Sequence, residues 1–142
     1  MNDPLSWMEL ARLPIAKTQD VLLARFIGRD EATKLGLAPL LLTRVATAIS
    51  EITRNVVQHA GAPGEIRFGR ITRDGRPGLR IIVADKGRGI EHPEGLLEDT
   101  KAGSHGAGLP GTRRLVDLFE LQSAPGAGTT VTMEFWTREA TP

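Results

Sequence analysis

Apolar positions in this chain change their period several times, and each change predicts an element. Leu42, Val45, Ile49, Ile52 and Val56 alternate in steps of three and four, which draws one stripe down an α-helix. Pro39 suits the first turn of that helix and Gly61 its end. Upstream, Leu23, Ile27, Glu31 and Leu35 recur at helical spacing, with Ala24 and Gly28 beside them and Gly36 as a stop. They predict a helix from Ile15 to Leu35 after a short strand-like start. Residues 1–13 show no clear period and read as an N-terminal arm or an edge strand. Residues 65–72 and 78–84 are strand-like and meet across the turn-rich run Arg73 to Gly78. The unbroken apolar run Ile81 to Val83 suits a sheet covered on at least one face. Residues 90–105 are irregular, Leu109 to Leu118 reads as a helix, and Phe119 to Ser123 as a strand. From Thr129 to Trp136 the period becomes two. Val131, Met133 and Phe135 alternate with Thr130, Thr132 and Glu134, as in a half-buried antiparallel strand. Hairpin-paired strands covered on one side by three helices make an α+β two-layer sandwich.

At 142 residues the chain, 1–142, reads as one domain. Eighteen basic against 17 acidic residues leave a net charge of +1, which gives no support for a nucleic-acid or anionic membrane surface. The absence of cysteine excludes disulfides, zinc–thiolate sites and thiol nucleophiles. Neither a signal peptide nor an apolar membrane span is evident, so a cytoplasmic location is expected.

Three separated segments carry candidate chemistry. In Ser50-Glu51-Ile52-Thr53-Arg54-Asn55, Glu51 and Asn55 stand one helical turn apart, beside the apolar stripe and at its rim. A carboxamide oxygen can complete a magnesium shell made otherwise of phosphates and waters. A carboxylate beside it can orient or deprotonate an attacking hydroxyl. The same pair is also what an ordinary polar helix face looks like. Asp85 closes an apolar strand, where a carboxylate can accept from an amino group such as that of adenine. Gly87 and Gly89 would let the backbone pass a flat ring, although Asp and Gly are equally common turn formers. Gly106-Ala107-Gly108 precedes a helix, whose first amides attract phosphate, or else forms a simple capping loop. It is not a P-loop, since no Gly-Lys-Ser/Thr follows. Nor does a buried strand precede it, as a dinucleotide fingerprint needs. The Thr129 hydroxyl could reach a base or a bridging water, or Thr129 could be a plain strand residue.

In order along the chain, these segments resemble the N box and the two glycine boxes of the GHKL ATPases, the gyrase, histidine kinase and MutL type. The run Ala46 to Glu51, the form Gly106-Ala107-Gly108-Leu109-Pro110-Gly111 and the ending Gly128-Thr129-Thr130 narrow the likeness. They resemble the small serine/threonine kinases of bacterial partner-switching and stress signalling, most of all the RsbT-type switch kinases of the stressosome. The likeness spans roughly residues 15–136. It implies a Bergerat fold, a mixed sheet backed by helices, with ATP and Mg²⁺ as cofactors. By this resemblance Asn55 would bind Mg²⁺ and Glu51 would be the catalytic base. Asp85 would bind the adenine amino group, with Gly89 lining the base pocket. Gly106 and Gly108 would approach the phosphates, and Thr129 would contact the base side. Lys101 would neutralise γ-phosphate charge or else be a solvated lid residue. The implied substrate is a serine or threonine of a STAS-domain protein, and the implied second partner a PP2C-type phosphatase. A nucleotide-dependent anti-sigma or regulatory binding module is the alternative. Arg54, His59 and His105 receive no role.

Overall fold

The computed structural model describes residues 6–90 and 108–137. They fold as β1 (Ser6–Ile15), α1 (Thr18–Lys34), α2 (Pro39–Asn55), a π-helical turn (Val56–Ala60), β2 (Gly64–Arg73), β3 (Arg76–Asp85), α3 (Gly108–Leu115), β4 (Leu118–Ser123) and β5 (Thr129–Trp136). Five strands form one sheet in the order β1-β2-β3-β5-β4. The expected two-layer α+β sandwich is present.

The resemblance implies a mixed sheet, but every neighbouring pair among the described strands is antiparallel. The reason is topological. Strands β3 and β4, joined through α3, run the same way, and β5 turns back from β4 to insert between them. The two strands that could have paired in parallel are thereby separated.

Register sets the core. One row crosses the sheet as Leu13, Ile66, Val83, Val131 and Leu121, and the next as Ala11, Phe68, Ile81, Met133 and Phe119. Ile66, Phe68, Ile81 and Met133 are fully buried. The helices cover this face, and α2 contributes the expected stripe, with Val45, Ile49, Ile52 and Val56 buried.

Helix α1 departs from expectation. Its buried face is Val21, Ala24, Gly28 and Ala32, while Leu23 is exposed. Small residues win there because the helix sits so close to its neighbours. A Cβ on Gly28 would collide with Ile49 Cδ1 and lie 3.2 Å from Phe68 Cε2. Ile15, expected in this helix, instead ends β1 and is fully buried. The residue 1–13 segment does hold an edge strand, with a register shift between Glu9 and Ala11.

The hairpin turn is tighter than the sequence suggests. Asp74 and Gly75 alone make it, both at positive φ, while Arg76, Pro77 and Gly78 already belong to β3. The opposite sheet face is closed by its own side chains. The Trp7 ring lies over Gly69 and that of Trp136 over Gly78. Arg67 and Arg73 stack on these rings at 5.5 and 5.4 Å from their centroids. Between the rings Ile71 is fully buried, and Arg80 pairs with the buried Glu134 (Nε to Oε2, 2.9 Å). Among the described residues no helix is long and apolar enough to cross a membrane.

Candidate nucleotide site

The last row on the helix-covered face changes character. Asp85, Thr129 and Ser123 stand opposite one another on β3, β5 and β4. They share parity with the apolar positions Val83, Val131 and Leu121, so their side chains project to the helix side. Apolar rows therefore end in a polar one at this edge of the sandwich.

The end of α2 comes down onto this row. Gly64 is the partner of Asp85 in β2. A Cβ on Gly64 would meet Val56 Cγ1 at 2.9 Å and Asp85 Cβ at 3.2 Å. The missing side chain leaves room for Val56, the residue after Asn55, beside the Gly64–Asp85 pair. Helix α2 then loosens into the π turn Val56–Ala60, which stops at Gly61 with φ 75°. Such insertions widen a helix and are frequent at functional sites. This one delivers the Ala60 carbonyl, which accepts from Arg88 N at 3.0 Å, and Gly87 packs so tightly on it that a Cβ would collide.

The Asp85–Ile90 loop is fastened from the other side by the β4–β5 turn. Gly126 N donates to the Arg88 carbonyl at 2.8 Å. Gly89 adopts φ 75° with Ala124 O where its Cβ would stand, and Gly128 is pressed onto the Asp85 carbonyl. Three segments distant in sequence thus form one cradle: the end of α2, the 85–90 loop and the 123–129 turn. The Asp85 carboxylate uses Oδ1 to accept from Gly87 N at 2.8 Å. Among the described residues Oδ2 has no protein donor.

Glu51 and Asn55 are both half-buried on α2, as expected of a rim. Arg54, which the sequence left without a role, donates from Nη1 to Glu51 Oε1 at 3.2 Å. The donor set suits magnesium of a particular kind. No group of three or more acidic or histidine side chains capable of holding a metal occurs among the described residues. A lone carboxamide with a nearby carboxylate fits an ion whose remaining ligands are phosphates and water. Gly108 opens α3, which packs against α2. Lys101, Gly106 and His105 lie outside the described residues.

Sequence reasoning missed Ser123. It carries no glycine-box signal, and only strand register reveals it beside Thr129 (Oγ to Oγ1, 2.7 Å).

Comparison with known proteins agrees with this architecture. The chain is 40% identical over 121 residues to the serine/threonine-protein kinase RsbT of Bacillus subtilis, covering 84% of this chain and 90% of that one. It is 29% identical over 126 residues to an anti-sigma F factor of Caldanaerobacter subterraneus, covering 84% and 87%. A solved structure of the RsbU and RsbW domains of a Mycobacterium tuberculosis protein superposes with a TM-score of 0.60 at 20% identity. That match covers 97% of this chain and 34% of the other, and speaks to the fold alone. The profile of the histidine kinase-like ATPase domain matches residues 13–135, and this chain belongs to that family.

Proposed function

We propose that this chain is an ATP-dependent serine/threonine protein kinase of a partner-switching system. The observation that carries the reading is the convergence of Asp85 and Thr129, at the polar end of the sheet, with the α2 end that bears Glu51 and Asn55. In this reading adenine lies in the cradle, its amino group donating to Asp85. Gly87 and Gly89 pass close to the ring, and Thr129 borders the base. Gly106 and Gly108 would approach the phosphates, and Lys101 would offset γ-phosphate charge. Asn55 would hold Mg²⁺, which supplies charge neutralisation on the phosphates. Such transfer depends on positioning and charge far more than on covalent chemistry by the protein. Glu51 takes the proton as the acceptor hydroxyl forms its bond to the γ-phosphorus, while the bond to the β-phosphate oxygen breaks and ADP leaves.

The substrate we infer is a serine or threonine on a STAS-domain protein, with a PP2C-type phosphatase as a further partner once that substrate releases the kinase. The likeness to an anti-sigma factor supports a second reading, a nucleotide-dependent grip on a regulatory protein with little transfer. The two separate in one assay. The chain, γ-labelled ATP, Mg²⁺ and a STAS protein are combined, with Glu51→Gln in parallel. Label on the STAS protein that the variant does not produce supports the kinase. Tight nucleotide-dependent complex formation without label supports the binding module instead.

A further inference from the structure

One member of the polar row has no part in the scheme above. Ser123 Oγ stands 2.8 Å from Ile90 N, 3.0 Å from the Gly128 carbonyl oxygen and 2.7 Å from Thr129 Oγ1. A serine hydroxyl has one proton and two lone pairs. An amide N–H can only donate, and a carbonyl can only accept. Ser123 therefore gives its proton to Gly128 and takes that of Ile90 on one lone pair. Its second lone pair is left for the proton of Thr129. All three contacts are satisfied in this assignment alone.

The consequence falls on Thr129. Its proton is committed to Ser123, so toward its neighbours it offers only lone pairs. Thr129 sits opposite Asp85 in the register of β3 and β5, and the carboxylate is likewise an acceptor. The row thus presents acceptors with no proton to give.

We propose that Ser123 is a positioning residue that sets base specificity: by taking the Thr129 proton it makes Thr129 an acceptor, so that the site selects purines with a 6-amino group over 6-oxo purines. The inference rests on the reading of Asp85 and Thr129 as the base end of a nucleotide site. At position 6 an oxo purine would set an acceptor, where an amino purine sets a donor, against groups that cannot donate, and a buried polar group left unmatched there costs its desolvation.

The test is calorimetric binding of Mg·ATP and Mg·inosine triphosphate to the chain. Wild type prefers ATP. In Ser123→Ala the freed Thr129 proton can turn toward the base, and the preference falls about tenfold. Ser123→Thr, which keeps the hydroxyl, restores it. In a Thr129→Val background Ser123→Ala changes the preference no further, which a merely structural role for Ser123 would not produce. Should Ser123→Ala melt below the assay temperature, Ser123→Cys, whose thiol is a weak acceptor, gives the same readout. A wild type that selects ATP alongside an unchanged Ser123 variant overturns the role of Ser123 alone. So does an effect of equal size in the Thr129→Val background. A wild type that takes up neither nucleotide overturns the nucleotide site itself.

Discussion

Arg54 and Glu51 form an ion pair within α2, Nη1 to Oε1, at 3.2 Å. The arginine of a partly exposed pair is easily released, since such pairs contribute about 0–1 kcal/mol. The carboxylate it holds is the candidate base. Arg54→Ala is expected to leave Mg·ATP affinity unchanged and to alter phosphoryl transfer less than about fivefold. Glu51→Gln is expected to reduce transfer about 100-fold or more with ATP binding nearly intact. Single-turnover transfer rates, measured beside nucleotide titrations, separate the two effects. Equal losses in both variants would make the pair, and not the carboxylate, the functional unit.

Gly28 is where α1 meets both α2 and the sheet. Any side chain there must displace Ile49 or Phe68. Gly28→Val is expected to destabilise the fold by about 1–3 kcal/mol through overpacking, read as a lower urea midpoint followed by tryptophan fluorescence. Leu23→Ala, on the exposed side of the same helix, is expected to stay within about 0.5 kcal/mol.

Gly87 separates the 85–90 loop from the π turn by less than a methyl group. Gly87→Ala forces the loop off the Ala60 carbonyl and costs the Arg88 N–H its acceptor. Nucleotide affinity is expected to fall about tenfold, the worth of roughly one lost hydrogen bond with its desolvation penalty. Calorimetry checks this, and a thermal melt shows that the variant is folded.

Asp20 accepts from the Ala16 and Lys17 amides at 2.9 and 3.1 Å, at the start of α1. Those bonds, that of Ala16 first, hold its carboxyl below the ordinary value of 3.8. A depressed folded-state value means stabilisation that is fully present above the unfolded value. It is lost as pH falls through the folded one. Asp20→Asn is expected to flatten the acid limb of Tm below about pH 4 and to leave its slope near neutrality unchanged. Melting curves across that range decide it.

Much of the fold could be read from periodicity because large apolar residues mark it. The α2 stripe, the bounds of β5 and the hairpin of β2 and β3 are of this kind. The α1 face was not legible, because close packing selects Ala24, Gly28 and Ala32, and small residues give a faint signal. Glu134 alternates as a polar residue, yet it is buried because Arg80 and the Trp136 indole N–H satisfy its carboxylate. Nothing in the sequence announces the π turn, since its five residues continue an acceptable helix. At the site, Asp85 and the glycines of the 85–90 loop were legible as candidates through their resemblance to a GHKL glycine box, since their spacing alone equally suits a turn. Ser123 was not, because its role exists only through strands brought together by the fold.

The central claim is that separated segments make one adenine-nucleotide pocket. Calorimetric titration of the chain with Mg·ATP, beside Asp85→Asn and Asn55→Ala, tests it most directly. The account predicts saturable uptake by wild type, loss of preference for adenine in Asp85→Asn, and weakened Mg·ATP binding in Asn55→Ala. No heat of binding in wild type, or the same affinity and base preference in all three proteins, would contradict it.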